Sequence, residues 1–577
     1  MRRLLAFALS ALVLALSACV PGTTLGTTTA STTIGTPVAT TTTLPTALST
    51  TVRTTRADET SDIALDFDLS QYDYLAPTVP IALPSIFADH LVFQRNKPIR
   101  VFGTGTPGGI ALAKLVLAQD PSVFETAAAI VAADGTFALE LAALPGSFDA
   151  YVLTVSDTVR EIRIVDVLVG EVWIAGGQSN MAMTVREADG GVALADAADD
   201  SRIRIFDQAI GDHDGSYPSS PAADVAGGAW TVADSAAGVL DCSAIGYAFA
   251  RELKRLLGEE HLDMPVAILN TAKGGSYLHS WLPRETMQAS EAALDRIDDL
   301  GWTLSRAHWN EFGWDNYNQP SALYNQKIAP LLGFAIGGVL WYQGESDPVY
   351  DASLAMIPLL IESWSAGFNR DGTLLPFAMI QLAPYDGADP TLGPAANPKQ
   401  VFFAYHRQAQ LEVLMDPRYA ATTVLVPIHD VSLAWNVPAG QFAWADPIHP
   451  VAKIPVGERA GKEAYTAFFY GAVDFLPPTV ASIAYDATTI TIAFDHVARG
   501  LRLIGSAASV ATVEVILKNG IRTDVACTIL DKDEIRIEGI DTTQVAAVAY
   551  GYRSRNEDAN LASGYGIPAL PFRLPLA

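Results

Sequence analysis

From about residue 170 to 477 the chain alternates short apolar runs with longer segments of helical periodicity, and few architectures accommodate that order. The apolar runs are EVWIAGG, RIRIFDQ, PVAILN, IGGVLWYQ, PFAMIQLA and ATTVLVPI; the helical segments include CSAIGYAFARELKRLLG and PKQVFFAYHRQAQLEVLM. Continuous apolar strands separated by amphipathic helices predict a parallel sheet covered by helices on both faces. That prediction also says where chemistry belongs, because an open parallel sheet binds ligands beyond the carboxyl ends of its strands.

The flanking regions have a different texture. Residues 78–168 carry short apolar runs such as IRVFGTG, GTFALELAALPG and REIRIVDVLVG, broken by Gly and Pro at roughly ten-residue intervals, the pattern of an antiparallel β-sandwich. Residues 478–577 return to that texture with TITIAF, TVEVILK and EIRIEG, so a second β-sandwich is expected there. A length of 577 residues accommodates these three units.

The N-terminus reads MRRLLAFALSALVLALSAC. Arg2 and Arg3 precede an apolar stretch, Leu4 to Leu16, that is short for a membrane span, and small residues then lead to Cys19. The string Leu16-Ser17-Ala18-Cys19 resembles a bacterial lipoprotein signal, which implies residues 1–19 as signal peptide and Cys19 as the lipidated residue. A plain secretory signal is the alternative, and both export the protein. The partner implied is a lipid bilayer, with the protein held extracytoplasmically at a cell membrane or outer surface. Two or three acyl chains would hold it there, whereas one alone would be marginal. Residues 20–77 begin with a threonine-dominated tract that has almost no large side chains; they are expected to form a flexible stalk.

Two bulk properties exclude whole classes of function. A formal net charge of −26 argues against nucleic acid or an anionic surface as partner. Only three cysteines are present, Cys19, Cys242 and Cys527, too few for a disulfide framework or a zinc cluster, so the last two are expected as small buried residues.

Four polar clusters fall at successive predicted strand ends. GGQSNM places Ser179 on a strand-to-helix turn, where its hydroxyl could act as a nucleophile or simply cap the helix. NTAKGGSYLHSW brings Gly274 and Gly275, whose amides could face an oxyanion or merely form a turn. LWYQGESD offers Gln343 as an amide donor and Glu345 as a carboxylate, with Trp341 and Tyr342 either walling a sugar site or buried in the core. ADPIHP offers Asp446 and His449, the types needed for a general base and its orienting acid. His279 and His429 lie near these loops as reserve candidates; His90, His213, His261, His406 and His496 have no comparable setting. Gln178 and Asn180 read as shaping residues.

The order of these blocks is similar to that of the SGNH hydrolases, and more narrowly of the sialate O-acetylesterase family of carbohydrate esterases. The resemblance is carried by GGQSNM (176–181), KGGS with SWLP (273–283), PSALYNQKIAPL (320–331), GVLWYQGESD (338–347), DPIHPVAKIPVGERAG (446–461) and the opening LPSIFADHLVFQRNKPIRVFGTG (83–105). It implies a flavodoxin-like SGNH hydrolase core over 169–477 and an exported serine esterase that removes O-acetyl groups from carbohydrates. Ser179 would be the nucleophile, His449 the base and Asp446 its orienter. The amides of Ser179 and Gly274–Gly275 with Gln343 would form the oxyanion hole, and Glu345 could compete with Asp446. No metal or cofactor is implied.

Lys273 departs from the small residue expected before the glycines; it and Arg186 are the cations that could meet a sialate carboxylate. Acetylated xylan, pectin or rhamnogalacturonan are alternative substrates. A non-catalytic carbohydrate-binding lipoprotein is the rival from another class. The segments 186–200 and 284–325 are expected to wall the cleft.

Overall fold

The computed structural model describes residues 62–208, 217–301, 316–369, 371–385, 400–431, 448–469 and 473–576. Cys19, the threonine tract and Asp446 lie outside the described residues.

The central sheet contains, in chain order, β1 (Glu161–Gly177), β2 (Asp200–Gln208), β3 (Gly228–Ala233), β4 (Val266–Asn270), β5 (Gly338–Tyr342), β6 (Phe377–Ile380) and β7 (Thr423–Val426). Their spatial order is β7-β6-β5-β1-β4-β2-β3. All neighbours pair in parallel except β2 and β3, which are antiparallel. Every residue of β4, β5, β6 and β7 is buried, as strands covered on both faces require.

Five helices frame the site and the sheet: α1 (Ser179–Ala182), α2 (Ala244–Glu259), α3 (Tyr350–Phe368), α4 (Phe402–Met415) and α5 (Lys453–Phe468). The period of two along the strands sorts their side chains into two cores. Trp173, Ala175, Val266, Ile268, Leu340 and Tyr342 join residues of α2 and α5, whereas Val172, Ile174, Ala267, Leu269, Val339 and Trp341 join residues of α3. Ser243 caps α2 by accepting from the Gly246 N–H at 3.1 Å. Trp341 and Tyr342 are therefore core residues, 1 % and 0 % exposed, and form no wall of a sugar site.

The chain lays down β2, β3 and β4 on one side of β1, then crosses to build β5, β6 and β7 on the other. The carboxyl end of β1 is thus the switch point of the sheet, the place where open parallel sheets bind their ligands. The three strands β4, β1 and β5 are adjacent there.

Two sequence boundaries are redrawn. The division between 168 and 169 falls inside β1, a 17-residue strand. Its first half pairs antiparallel with Ser147–Ser156 and its second half lies parallel to β4 and β5. The run REIRIVDVLVGEVWIAGG contains no proline, and despite irregular pairing near Val167 one strand serves both units. Residues 62–77, assigned to the stalk, pack on the body. Ile63 and Ala64 are buried against Ile110 and Leu112, Lys114 pairs with Asp66 at 2.7 Å, and the Leu75 N–H donates to Gly108 O at 2.8 Å. Apolar residues spaced through this acidic stretch, including Phe67, Leu69, Tyr72 and Tyr74, give it a face to bury.

In the N-terminal region Ile110–Leu117 pairs antiparallel with both Phe124–Ile130 and Ser147–Ser156, and Ile99–Thr104 pairs with Thr136–Leu141. The C-terminal region forms two four-stranded antiparallel sheets. It is fastened to α4 by Arg407, whose guanidinium donates to Arg553 O at 2.7 Å and Ser554 O at 3.0 Å. Cys242 and Cys527 are buried and unpaired. Among the described residues no helix is long and apolar enough to cross a membrane.

Candidate active site

The site is built from loops that leave β1, β4 and β5 at their carboxyl ends. At the end of β1, Gly177 has φ +128°, and a Cβ there would lie 2.0 Å from Tyr342 O, so only glycine permits this approach to β5. The Gln178 N–H donates to the same carbonyl at 2.9 Å. Ser179 follows as the first residue of α1, where its N–H has no partner within the helix. Its Oγ lies 2.8 Å from His449 Nε2, and both residues are half-buried. His449 stands on the short loop before α5, 270 positions from the serine. A hydroxyl in contact with an imidazole nitrogen is the arrangement from which a serine nucleophile is generated.

The loop after β4 follows the end of β1 closely. Thr271 N–H donates to Ala175 O at 3.0 Å and Lys273 N–H to Gly177 O at 2.9 Å. This brings Gly274 against Ser179: a Cβ on Gly274 would meet Ser179 Cβ at 3.5 Å. Gly275, with φ +69°, is held through its carbonyl by Asn318 Nδ2 at 3.0 Å. Lys273 is 8 % exposed, with Nζ 5.0 Å from the centre of the Tyr317 ring. Burial draws the neighbouring Lys327 down to about 8, helped by the charge of Lys273, and lifts Asp207 at the end of β2 to about 6. Arg186, the other sequence candidate for an anion, is engaged on the surface with Asp241 at 2.8 Å.

The loop after β5 corrects the expectation for Gln343. Its Nε2 donates to Ser276 O at 3.1 Å and to Asp347 Oδ2 at 3.0 Å, so both amide protons serve to tie the loop after β4 to its own loop. Gln343 is thus a brace behind the Gly274–Gly275 turn in this structure, not an aimed oxyanion donor. The residue that receives it, Asp347, is fully buried and also accepts from Leu278 N–H at 2.6 Å and Arg296 at 3.1 Å. Gln178 completes the bracing: its Oε1 accepts from the Gly344 N–H at 3.2 Å and from the Ser346 N–H at 3.5 Å.

Glu345 lies closer to the chemistry. Its Oε1 accepts from Asn180 Nδ2 at 2.5 Å, while Oε2 is buried with no hydrogen-bond partner. Burial pushes this carboxyl up, opposed by the Asn180 bond and by the charges of His449 and Lys453. The other buried histidines serve as packing. His279 stacks on Tyr277 and bonds Asn318 O through Nε2 at 2.7 Å. The His406 ring lies under Gly344, where a Cβ would come within 2.4 Å of its Nε2. Burial holds His279, His406 and His429 at about 4.

The structure therefore brings together Ser179, His449, Gly274 and, through Asn180, Glu345; Gln343 and Gly275 lie behind them. Sequence reasoning left Gln178 and Asn180 without a role and passed over Asp347, Arg296 and Lys453. Asp347 and Lys453 stand inside the quoted motifs, but nothing in their spacing distinguishes a buried brace from a solvated charge. Among the described residues no group of three or more His, Cys, Asp or Glu side chains is arranged to hold a metal ion.

Residues 169–416 match a family model described as carbohydrate esterase, sialic acid-specific acetylesterase. The chain is 27% identical over 329 residues to the sialate O-acetylesterase of Mus musculus, a match covering 52% of this chain and 60% of that protein. It is 25% identical over 298 residues to the sialate O-acetylesterase of Homo sapiens, covering 49% and 53%. The match thus spans only about three fifths of the mouse protein's length. Among solved structures, a carbohydrate acetylesterase from Xanthomonas citri superposes with a TM-score of 0.69 at 27% identity, covering 85% of this chain and 99% of that one.

Proposed function

We propose that this chain, whose residues 169–416 belong to the carbohydrate esterase family of sialic acid-specific acetylesterases, is an exported serine esterase that removes O-acetyl groups from carbohydrates. The observation that carries this is the 2.8 Å contact between Ser179 Oγ and His449 Nε2, made at the switch point of a parallel sheet. His449 would take the hydroxyl proton as Oγ attacks the acetyl carbonyl. The amide of Ser179, with one from the Gly274–Gly275 turn, would hold the resulting oxyanion. Collapse would expel the sugar alkoxide, protonated by His449, and leave an acetyl group on Ser179. Water activated by the same histidine would then release acetate. Asp446, three residues before His449, is the proposed orienting acid, with Glu345 as its competitor. No cofactor takes part in this scheme.

On this view the core is an SGNH-type hydrolase unit flanked by β-sandwiches, and Cys19 anchors it outside the cytoplasm by a lipid. The names of the relatives favour an acetylated sialic acid or another acetylated glycan as substrate, and acetylated xylan and pectin are the alternatives. Acetate release would be measured from an aryl acetate and from O-acetylated sialic acid, xylan and pectin. Ser179→Ala is expected to lower turnover at least about 10⁴-fold without loss of fold. Undiminished acetate release from Ser179→Ala would sink the assignment, and binding without hydrolysis by the intact protein would favour a carbohydrate-binding role.

A further inference from the structure

Lys453 is an unusual residue for its position. It is the first residue of α5, where the helix dipole disfavours a cation, and it is 1 % exposed. Helix stability alone would place neither a positive charge nor a long polar side chain there. Its Nζ donates to Asn180 Oδ1 at 2.5 Å and lies 5.8 Å from the centre of the Tyr342 ring.

Asn180 is fully buried, and its amide is used completely. With Oδ1 taken by the ammonium, the two Nδ2 protons go to Glu345 Oε1 at 2.5 Å and Ile448 O at 3.0 Å. The position of these partners in the chain is what matters. Asn180 directly follows Ser179, and Ile448 directly precedes His449. Both halves of the nucleophile–base contact therefore hang from one amide group. That amide can be held in only one orientation while the ammonium occupies its oxygen: a flipped amide would point N–H groups at Nζ and oxygen at two acceptors. Glu345 supplies the anion that makes a buried ammonium tolerable, and it adds the loop after β5 as a third segment joined at Asn180.

We propose that Lys453 is a positioning residue for the esterase, acting through Asn180 to hold Ser179 and His449 in register. The proposal rests on the function assigned above and deepens it. Its effect on Ser179 and His449 passes through the amide, so it is visible only while the amide is present.

A mutant cycle tests this with Lys453→Met, Asn180→Ala and the double variant, each assayed on an aryl acetate. Each single change is expected to lower kcat about 10- to 100-fold with KM within about threefold, the signature of misplaced groups rather than lost binding. The double variant is expected to be no worse than the poorer single variant. Losses that multiply in the double variant, or an unchanged kcat in Lys453→Met, would overturn the proposal. If Lys453→Met does not fold, Lys453→Gln takes its place in the same cycle under the same criteria. The rate at which a fluorophosphonate labels Ser179 provides a second readout that needs no ester substrate. If the wild type releases no acetate yet Ser179 is labelled in a His449-dependent manner, the esterase assignment fails. The labelling rates of the four proteins then decide the positioning role by the same non-additivity.

Discussion

Glu514, in the C-terminal β region, and Glu345, beyond the end of β5, are both withdrawn from solvent, at 1 % and 5 % exposure, but their surroundings differ. Each oxygen of Glu514 meets its own guanidinium: Oε2 accepts from Arg522 Nε at 2.7 Å and Oε1 from Arg553 Nε at 2.5 Å. Glu345 has one amide on one oxygen and nothing on the other, and its carboxyl is pushed up by burial. A matched buried charge is what a stable interior requires, whereas an incompletely matched one raises the free energy of the fold and persists where something else depends on it. His449 and Lys453 are the charges that act on Glu345, and both belong to the segment that carries the proposed base. The contrast separates a part of the molecule organised for stability from the one proposed to carry the reaction.

The largest effect expected comes from acid. His279 and His406 lie beneath the strand-end loops and His429 lies near the C-terminal region; all three are held at about 4. Because these folded-state values lie below the ordinary 6.5, the unfolded chain takes up the protons first. Stability is then fully present above about pH 6.5 and declines as pH falls toward 4, by up to about 3 kcal/mol for each histidine. Urea midpoints measured from pH 7.5 to 4.5 should fall steeply, and a flat profile would show that the three rings accept protons in the folded state.

Next in size is the clamp on Glu514. Glu514→Gln leaves Arg522 and Arg553 facing a neutral group and is expected to lower stability by about 3–5 kcal/mol. The kcat of the folded fraction should stay within about twofold of wild type. A variant with unchanged urea midpoint would remove the contrast on the stability side.

The smallest effect on stability, and the sharpest on the comparison, is expected from Glu345→Gln. The raised folded-state pKa means that folding opposes ionisation of this carboxyl, a penalty absent below about pH 4.5 and growing as pH rises toward the folded value. The amide variant is relieved of that penalty near pH 7 but leaves the buried Lys453 ammonium without its anion, so its urea midpoint is expected to shift less than that of Glu514→Gln. Its kcat should nevertheless fall. Comparison with Asp446→Asn assigns the orienting acid: the variant with the greater loss of kcat has lost the partner of His449.

Much of the site was legible because strand ends in a parallel sheet are marked twice, by an apolar run that stops and by small or polar residues that come after it. Ser179 and Gly274 could be placed on that basis, and their meeting follows from the adjacency of β1 and β4. Asn180 and Lys453 were not legible. Their roles depend on burial and on contacts across 273 positions, to which local spacing is blind. Gln343 was expected to donate to an oxyanion, whereas its amide protons go to Ser276 O and Asp347, because which acceptor captures an amide proton is decided by neighbours from another loop. The strap at 62–77 was missed for a related reason: its apolar residues are sparse, and only a surface waiting at Ile110 and Leu112 makes their burial worthwhile.

What the sequence by itself determined is the alternation of buried strands and amphipathic helices, the strand ends at which polar groups could gather, and the types of residue present there. These follow from periodicity and backbone preference, which act over a few residues. The tertiary structure alone decided that one strand joins two units and that Ser179 meets His449. It also decided that a single buried amide, held by Lys453, fastens both. Those outcomes depend on which segments the sheet order makes neighbours, and on the cost of burying a charge unless a partner from a distant segment receives it.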